Sequence, residues 1–326
     1  MKNHPFVGCC LIVSSIGLVA CERTVEETTS AAYPSRPVTI VVPYTPGGGG
    51  DTFTRAIAVQ AQEMFGVRVL VENRMGGGAT IGVGSVARAK ADGYTLGFVS
   101  SSPVVVVPNF FDVPYDPVKD LTYISRFVVS PHPVLVRGDS EHDSFTELLD
   151  YARANPGRLR WSTAGINGAP HIATVAALKQ EGAEATFVPM QGSTEVLAGL
   201  LGGTIDMGVM SDYAGPLAAG DVKLMAKIGP EAFEDFPDIP TYRQMGYPLA
   251  PTIFLGLAGP AGLADEVIRA WEEALQEITE SESFQQVATR LNGNVTYLNH
   301  EDFEALVLGD IASTRDALES LGLLQE

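Results

Sequence analysis

Four consecutive glycines, Gly47 to Gly50, stand between an apolar β-branched run, Val38 to Val42, and a helical pattern, in the order Pro43-Tyr44-Thr45-Pro46-Gly47-Gly48-Gly49-Gly50-Asp51. Glycines at the exit of a buried strand let the backbone approach a bound group closely. The first-turn N–H groups of the following helix lack intrahelical acceptors and point at that group, so such a turn can seat an anion. A second stretch repeats the chemistry: Leu159-Arg160-Trp161 runs into Ser162-Thr163-Ala164-Gly165-Ile166-Asn167-Gly168-Ala169-Pro170-His171. Pro170 suits a first helical turn, and the loop offers hydroxyls, glycines and another helix start, with no fixed positive charge. The candidate ligand-binding residues are therefore Tyr44, Pro46, Gly47, Gly48 and Asp51 in the first loop and Ser162, Thr163, Gly165, Asn167, Gly168 and His171 in the second. Either loop alone could be a ligand-free tight connection; two of matching chemistry point to a site.

Asp51 is the awkward member, because a carboxylate beside an anion seat repels the ligand. It is expected to cap the helix and order the glycine loop, with a contact to a ligand ammonium as the alternative. A helix N-terminus lowers the pKa of an imidazole, so His171 is expected to be neutral, a hydrogen-bonding or packing group rather than a general acid.

Signatures of catalysis are missing. There is no Gly-x-Ser-x-Gly, the Gly47 to Thr52 loop lacks the P-loop lysine, and His132, His142, His171 and His300 have no metal-ligand spacing. No catalytic residue, metal or cofactor is expected. A third glycine cluster, Gly76-Gly77-Gly78, precedes Gly82-x-Gly84-x-x-Ala87, which formally matches the dinucleotide fingerprint. It lies about ten residues past its strand instead of at the strand's end, so the match is a coincidence. Arg74 is expected to pair with a carboxylate of the fold.

The elements that must position these loops follow from periodicity. Phe53, Ala56, Ile57, Ala61 and Met64 fall on one helical face, ended by Gly66. Val67 to Val71, Thr95 to Val99, Leu159 to Ser162, Ala185 to Val188, Ile205 to Met210 and Val222 to Ala226 read as strands separated by helical stretches. That alternation predicts α/β architecture with parallel sheets. At 326 residues and 45% hydrophobic content, the chain has room for two domains of roughly 100 to 200 residues. Pro131-His132-Pro133 and Pro248 to Thr252 are candidate crossings, giving a first lobe of 33–132 plus 251–326 and a second of 133–250. The helices Ala264 to Glu280 and His300 to Leu321 return to the first.

A net charge of −18 with no basic run makes nucleic acid an unsuitable partner. Cys9, Cys10 and Cys21 are the only cysteines, so disulfides and thiol catalysis are excluded from the rest of the chain. Lys2 followed by the apolar run Phe6 to Leu18 reads as a secretory signal, shorter than the about 20 residues of a membrane span. Leu18-Val19-Ala20-Cys21 resembles the bacterial lipobox, in which the cysteine is lipidated and becomes the mature N-terminus. Residues 1–20 are then a lipoprotein signal peptide and 21–32 a polar tether, with a plain signal peptide cut near Ala20 as the alternative. Either way the protein is expected in the periplasm or cell envelope.

From Tyr33 onward the chain resembles the tripartite tricarboxylate transporter substrate-binding proteins, the Bug family. The resemblance is carried by Arg36-Pro37, Val42-Pro43-Tyr44-Thr45-Pro46-Gly47-Gly48 with Asp51 and Arg55, and Val71-Glu72-Asn73-Arg74 with Gly76. It continues through Asp92-Gly93-Tyr94-Thr95-Leu96, Tyr115-Asp116-Pro117-x-Lys119-Asp120, the Ser162 to His171 loop, Val188-Pro189 with Gly192, and Leu200-Leu201-Gly202-Gly203-Thr204-Ile205-Asp206. Met75 departs from a usual proline, Gln191 from a frequent lysine and Gly199 from a common aspartate. The resemblance implies an α/β, two-lobed periplasmic-binding-protein type II fold with the ligand in the interdomain cleft. It also implies that the two loops grip one ligand carboxylate, largely through backbone amides and water.

The expected function is capture of a small organic carboxylate, whether a di- or tricarboxylate, an aromatic acid or an acidic amino acid, and its delivery to the membrane subunits of a tripartite transporter. The receptor is expected to be a monomer. A sensor subunit feeding a membrane kinase, or an enzyme acting on a carboxylate, are the alternatives. Uncharged loops can suffice: micromolar binding needs about 8 kcal/mol, and charge-assisted hydrogen bonds supply roughly 1.5 to 3 kcal/mol each before binding losses. The net charge is largely screened beyond about 8 Å at physiological salt, so recognition is local.

Overall fold

A continuous β-branched run suits a strand buried on both faces. β1 (Val38–Val42) takes such a place, paired in parallel with β2 (Val69–Asn73) on one side and β3 (Thr95–Ser100) on the other. The computed structural model describes Met1 and residues 33–164, 166–190 and 192–324. Residues 2–20 of the expected signal peptide, Cys21 with its expected lipid, the expected tether 21–32, Gly165 and Gln191 lie outside the described residues. α1 (Gly49–Phe65) carries the chain from β1 to β2, and α2 (Thr80–Ala87) from β2 to β3. Then come β4 (Leu121–Val129), β5 (His132–Arg137), α3 (Phe145–Ala154), β6 (Leu159–Thr163), α4 (Ala169–Gln180), β7 (Ala185–Phe187), α5 (Ser193–Leu201) and β8 (Met207–Val209). The chain ends with α6 (Ala214–Ala218), β9 (Val222–Ile228), β10 (Phe254–Pro260), α7 (Asp265–Glu280), α8 (Glu282–Arg290), β11 (Asn294–Leu298) and α9 (His300–Ser320).

Two sheets result, one in the order β11-β4-β10-β3-β1-β2 and the other in the order β7-β6-β8-β5-β9. Both share a plan. β2-β1-β3 and β7-β6-β8 are parallel triplets, each flanked beyond its third strand by an antiparallel one, β10 or β5. In each triplet the middle strand sends the chain to one neighbour, and the chain then crosses to the other. That makes a topological switch point between β1 and β3 and another between β6 and β8, the places where open α/β sheets leave a crevice at the carboxyl ends of their strands. Both candidate loops begin at such ends.

The sheets are therefore mixed, not parallel as the alternation predicted. β4, β5, β10 and β11 were not foreseen, for local reasons. In β10, Gly256 and Gly259 break the apolar alternation, yet a Cβ at Gly256 would sit 2.5 Å from the Phe303 ring and one at Gly259 2.5 Å from Leu263. These glycines admit neighbouring side chains and hide the strand. In β5, Pro133 reads as a strand breaker, but pairing with β8 begins only at Val134, so its missing N–H costs no ladder bond on that side.

The chain passes from the first sheet to the second between Val129 and His132, and returns between Ile228 and Phe254. The two passages run side by side, with the Ser130 N–H donating to the Ile253 carbonyl at 2.8 Å, next to the Val129–Phe254 pair of β4 and β10. α9 lies against both halves. His300 at its start donates through its Nδ1–H to the Tyr123 carbonyl of β4, while at its end Lys179 of α4 donates to the Leu321 carbonyl at 3.1 Å. Phe303 and Leu318 share one buried cluster with Tyr123, Trp161 and Ala173. A second cluster packs α1, α7 and α8 on the first sheet through Phe53, Ile57, Trp271 and Phe284. Among the described residues no helix is long and apolar enough to cross a membrane.

Candidate functional site

At the first switch point the backbone turns at once. Gly48 N–H donates to the Thr45 carbonyl at 3.2 Å, with Pro46 second in the turn and Gly47 third at φ +79°, the left-handed position a type II turn gives to glycine. α1 starts at Gly49, and its N-cap is Gly48, in extended conformation with no side-chain cap. The expectation that Asp51 caps this helix is thus corrected: Asp51 lies inside the first turn, since an extended glycine fills the cap position without a side chain. Its carboxylate reaches back instead. One oxygen accepts from the Gly47 N–H and from Arg55 Nε, each at 2.8 Å, and the other from Asn73 Nδ2 at 2.8 Å. Asn73 Nδ2 also donates to the Tyr44 carbonyl at 3.0 Å, and Arg55 donates to Asn73 Oδ1 at 3.1 Å. Asp51 is 2% exposed. Burial alone would raise its pKa, but the hydrogen bonds from Arg55, Gly47 and Asn73 outweigh it and hold the carboxyl below its ordinary range. The loop is pinned by its own charges.

Beside it, the end of β3 brings Ser100, Ser101 and Ser102. The Tyr44 hydroxyl is 2.7 Å from Ser100 Oγ, its ring meets Phe98 edge-on at 5.8 Å, and burial raises its pKa. Ser101 is fully buried with no partner for its hydroxyl among the described residues. Pro46 and Gly47 are exposed.

The second switch point is built differently. Ser162 is buried and donates to the Val188 carbonyl at 2.7 Å. Thr163, 1% exposed, has no partner for its hydroxyl among the described residues. Asn167 sits at φ +65°, a conformation asparagine tolerates. Gly168 is the N-cap of α4, again extended and without a side-chain cap. His171, 9% exposed, stacks on Trp161 at 5.4 Å and meets Phe187 edge-on at 4.4 Å. Burial, rather than the helix end, pushes its pKa down to about 4, so it is a neutral packed ring at physiological pH.

The two loops are linked indirectly. The Ala169 N–H, in the first turn of α4, donates from the second sheet's side to Ser102 Oγ on the first sheet's side at 3.0 Å, and Tyr44 reaches Ser100 on the same short segment. Thus Ser100 to Ser102 join Tyr44 to Ala169. Sequence reasoning missed these serines, although three hydroxyls directly after a predicted strand were a signal. It also missed the loop after β8, where the Ser211 carbonyl accepts from Asn292 Nδ2 of the first sheet's α8–β11 turn at 2.7 Å.

The remaining sequence features resolve as packing. Arg74 pairs with Glu72, Nε to Oε1 at 2.7 Å. A Cβ at Gly82 would meet Pro43 at 2.6 Å and one at Gly84 would meet Pro114 at 2.8 Å, so those glycines serve close helix packing. A cavity of about 420 Å³ lies at the opposite, amino ends of β6 and β8, and its arginines are already paired, Arg160 with Asp206 and Arg137 with Asp139.

Residues 53–323 match the family model described as the tripartite tricarboxylate transporter family receptor. The chain is 29% identical over 283 residues to Protein BugT of Bordetella pertussis, covering 84% of this chain and 87% of that protein. It superposes on the periplasmic binding protein BugD with a TM-score of 0.75 at 27% identity, covering 90% of this chain and 100% of that one. MatC from Rhodopseudomonas palustris, solved with bound malate, superposes with a TM-score of 0.76 at 25% identity, covering 88% and 100%.

Proposed function

This chain belongs to the tripartite tricarboxylate transporter receptor family of solute-binding proteins, and from that premise we propose that it captures a small organic carboxylate between two lobes and presents it to membrane transporter subunits. The lobes are 33–132 plus 251–326 and 133–250. The protein is exported, anchored through a lipid on Cys21, acts as a monomer and turns nothing over. Tyr44, Pro46, Gly47 and Gly48 on one side and Ser162, Thr163, Gly165, Asn167 and Gly168 on the other form the carboxylate seat, with Asp51 and His171 holding their loops behind it. One observation carries the proposal. Two helices open at the switch points of two sheets behind glycine caps, α1 with the amides of Gly49, Gly50 and Asp51 at its start and α4 with that of His171, while the Ala169 amide joins the two sides through Ser102. Such amides bind anions, and the malate held by MatC is an anion of the expected kind.

Mass spectrometry of ligand retained through purification, followed by calorimetry with that compound, tests this. A tightly held organic acid whose affinity falls with Gly48→Val is the expected result. Retention of a ligand without a carboxylate, or turnover of the acid by pure protein, would overturn it.

A further inference from the structure

The four stretches that leave the sheets at the switch points are 43–50, 100–102, 164–168 and 210–213. Across all of them one side chain alone is charged at neutral pH, and it is Asp212. It follows β8 in the loop whose neighbouring residue, Ser211, is bonded to Asn292 of the first sheet's half, so it stands one residue from a contact between the lobes. Its environment is the reverse of that of Asp51. Where Asp51 accepts three N–H bonds, Asp212 has a long contact to the Ser211 hydroxyl at 3.4 Å, and no ion pair reaches it among the described residues. It is half-buried, and that burial raises its pKa. A carboxylate can accept about four hydrogen bonds, and one that is desolvated without them is costly.

A ligand carrying only negative charge would worsen this, setting a second anion beside an uncompensated one. A ligand with an ammonium would relieve it by a charge-assisted hydrogen bond. The same group then attracts one class and repels the other, which is how specificity arises between ligands of equal size. The acid gripped by the amides must carry the compensating charge itself, since these loops supply none.

We propose that Asp212 is the specificity-determining residue of the cleft, selecting a carboxylate that also bears an ammonium over the same acid without it; this rests on the carboxylate reading above. The test is a thermal-shift screen of matched pairs, L-glutamate with glutarate and L-aspartate with succinate among a panel of amino acids and their deaminated counterparts, followed by calorimetry at neutral pH on the best pair. The wild-type chain is expected to prefer the ammonium-bearing member at least tenfold. In Asp212→Asn the affinity for that member drops at least tenfold while the plain acid binds as well as before or better, and Asp212→Glu restores part of the preference. Preference of the wild-type protein for the plain acid, or an equal loss of both members in Asp212→Asn, overturns the proposal. The wild-type preference alone decides it should Asp212→Asn fail to fold. Gly48→Val on the same pair separates the two levels: equal weakening of both members upholds the carboxylate seat whatever Asp212 does, whereas no change removes the seat itself.

Discussion

Gly48 and Gly168 cap their helices with nearly the same backbone, φ −73° and ψ 171° against φ −74° and ψ 170°, yet the loops leading to them are held by different forces. The first is tied by Asp51, Arg55 and Asn73, a network of charge-assisted bonds that closes on the Gly47 amide. The second is held by apolar packing of His171 against Trp161 and Phe187, and it keeps a buried threonine hydroxyl unpaired. The same helix-start geometry can thus be enforced by polar pinning or by ring packing. Only the second leaves a hydroxyl of its own strand end unspent, the first having the neighbouring Ser101 beside it.

The difference can be broken from the polar side first. Asp51→Ala removes the acceptor of the Gly47 N–H and of Arg55 Nε and one of the two acceptors of Asn73 Nδ2, and should cost about 2 kcal/mol of stability in urea unfolding, with at least tenfold weaker binding of every carboxylate. An affinity loss confined to ammonium-bearing ligands would instead make Asp51 a ligand contact. From the packed side, pH is the lever. His171 titrates near 4 in the fold against 6.5 when free, so the unfolded chain takes up the proton first as pH falls. Stability is complete above about 6.5 and is lost progressively between 6.5 and 4, by up to about 3 kcal/mol. His171→Phe keeps the stacking and should flatten the loss between unfolding curves at pH 7 and pH 5; an unchanged slope would assign it to another group.

Crowding either cap should matter equally. Gly48→Val places a side chain 3.3 Å from the Thr45 carbonyl, and Gly168→Val one 3.4 Å from Ser102 Oγ. Both backbones are extended and accept valine, so each variant should fold with an unchanged melting temperature and bind at least tenfold more weakly by calorimetry. A loss in one alone would mean a single loop carries the site. The smallest effect sharpens the contrast most. Thr163→Val removes an unpaired buried hydroxyl and should stabilise the ligand-free protein by up to about 1 kcal/mol while weakening binding several-fold. Weakened stability together with unaltered binding would show the hydroxyl is satisfied within the fold.

Much of this was legible in the residues. The run Val38 to Val42, the glycines after it and the face Phe53, Ile57, Ala61 specify a βα unit locally, and Leu159 to Gly168 does the same. The antiparallel strands were hidden because their signals answer to distant partners: Gly256 is small for Phe303, and Pro133 is tolerated where β8 has not yet begun to pair. The role of Asp51 was half visible, its proximity to the loop but not its partner Asn73, 22 residues away. Ser102 meets Ala169 across 67 residues, and no local pattern encodes such a meeting. Asp212 carries no signal in the sequence, because the absence of an ion pair to it among the described residues is visible only in the fold.

The side-by-side passage of the two connecting strands carries a mechanical consequence. Because the Ser130 amide is bonded to the Ile253 carbonyl, the two connectors are tied at that point, and displacement of one pulls on the other. The halves meet again where Ala169 bonds Ser102 and where Asn292 bonds Ser211. The Lys179 to Leu321 bond at the end of α9 adds a further tie, so parting the halves costs bonds at several places at once rather than at one latch.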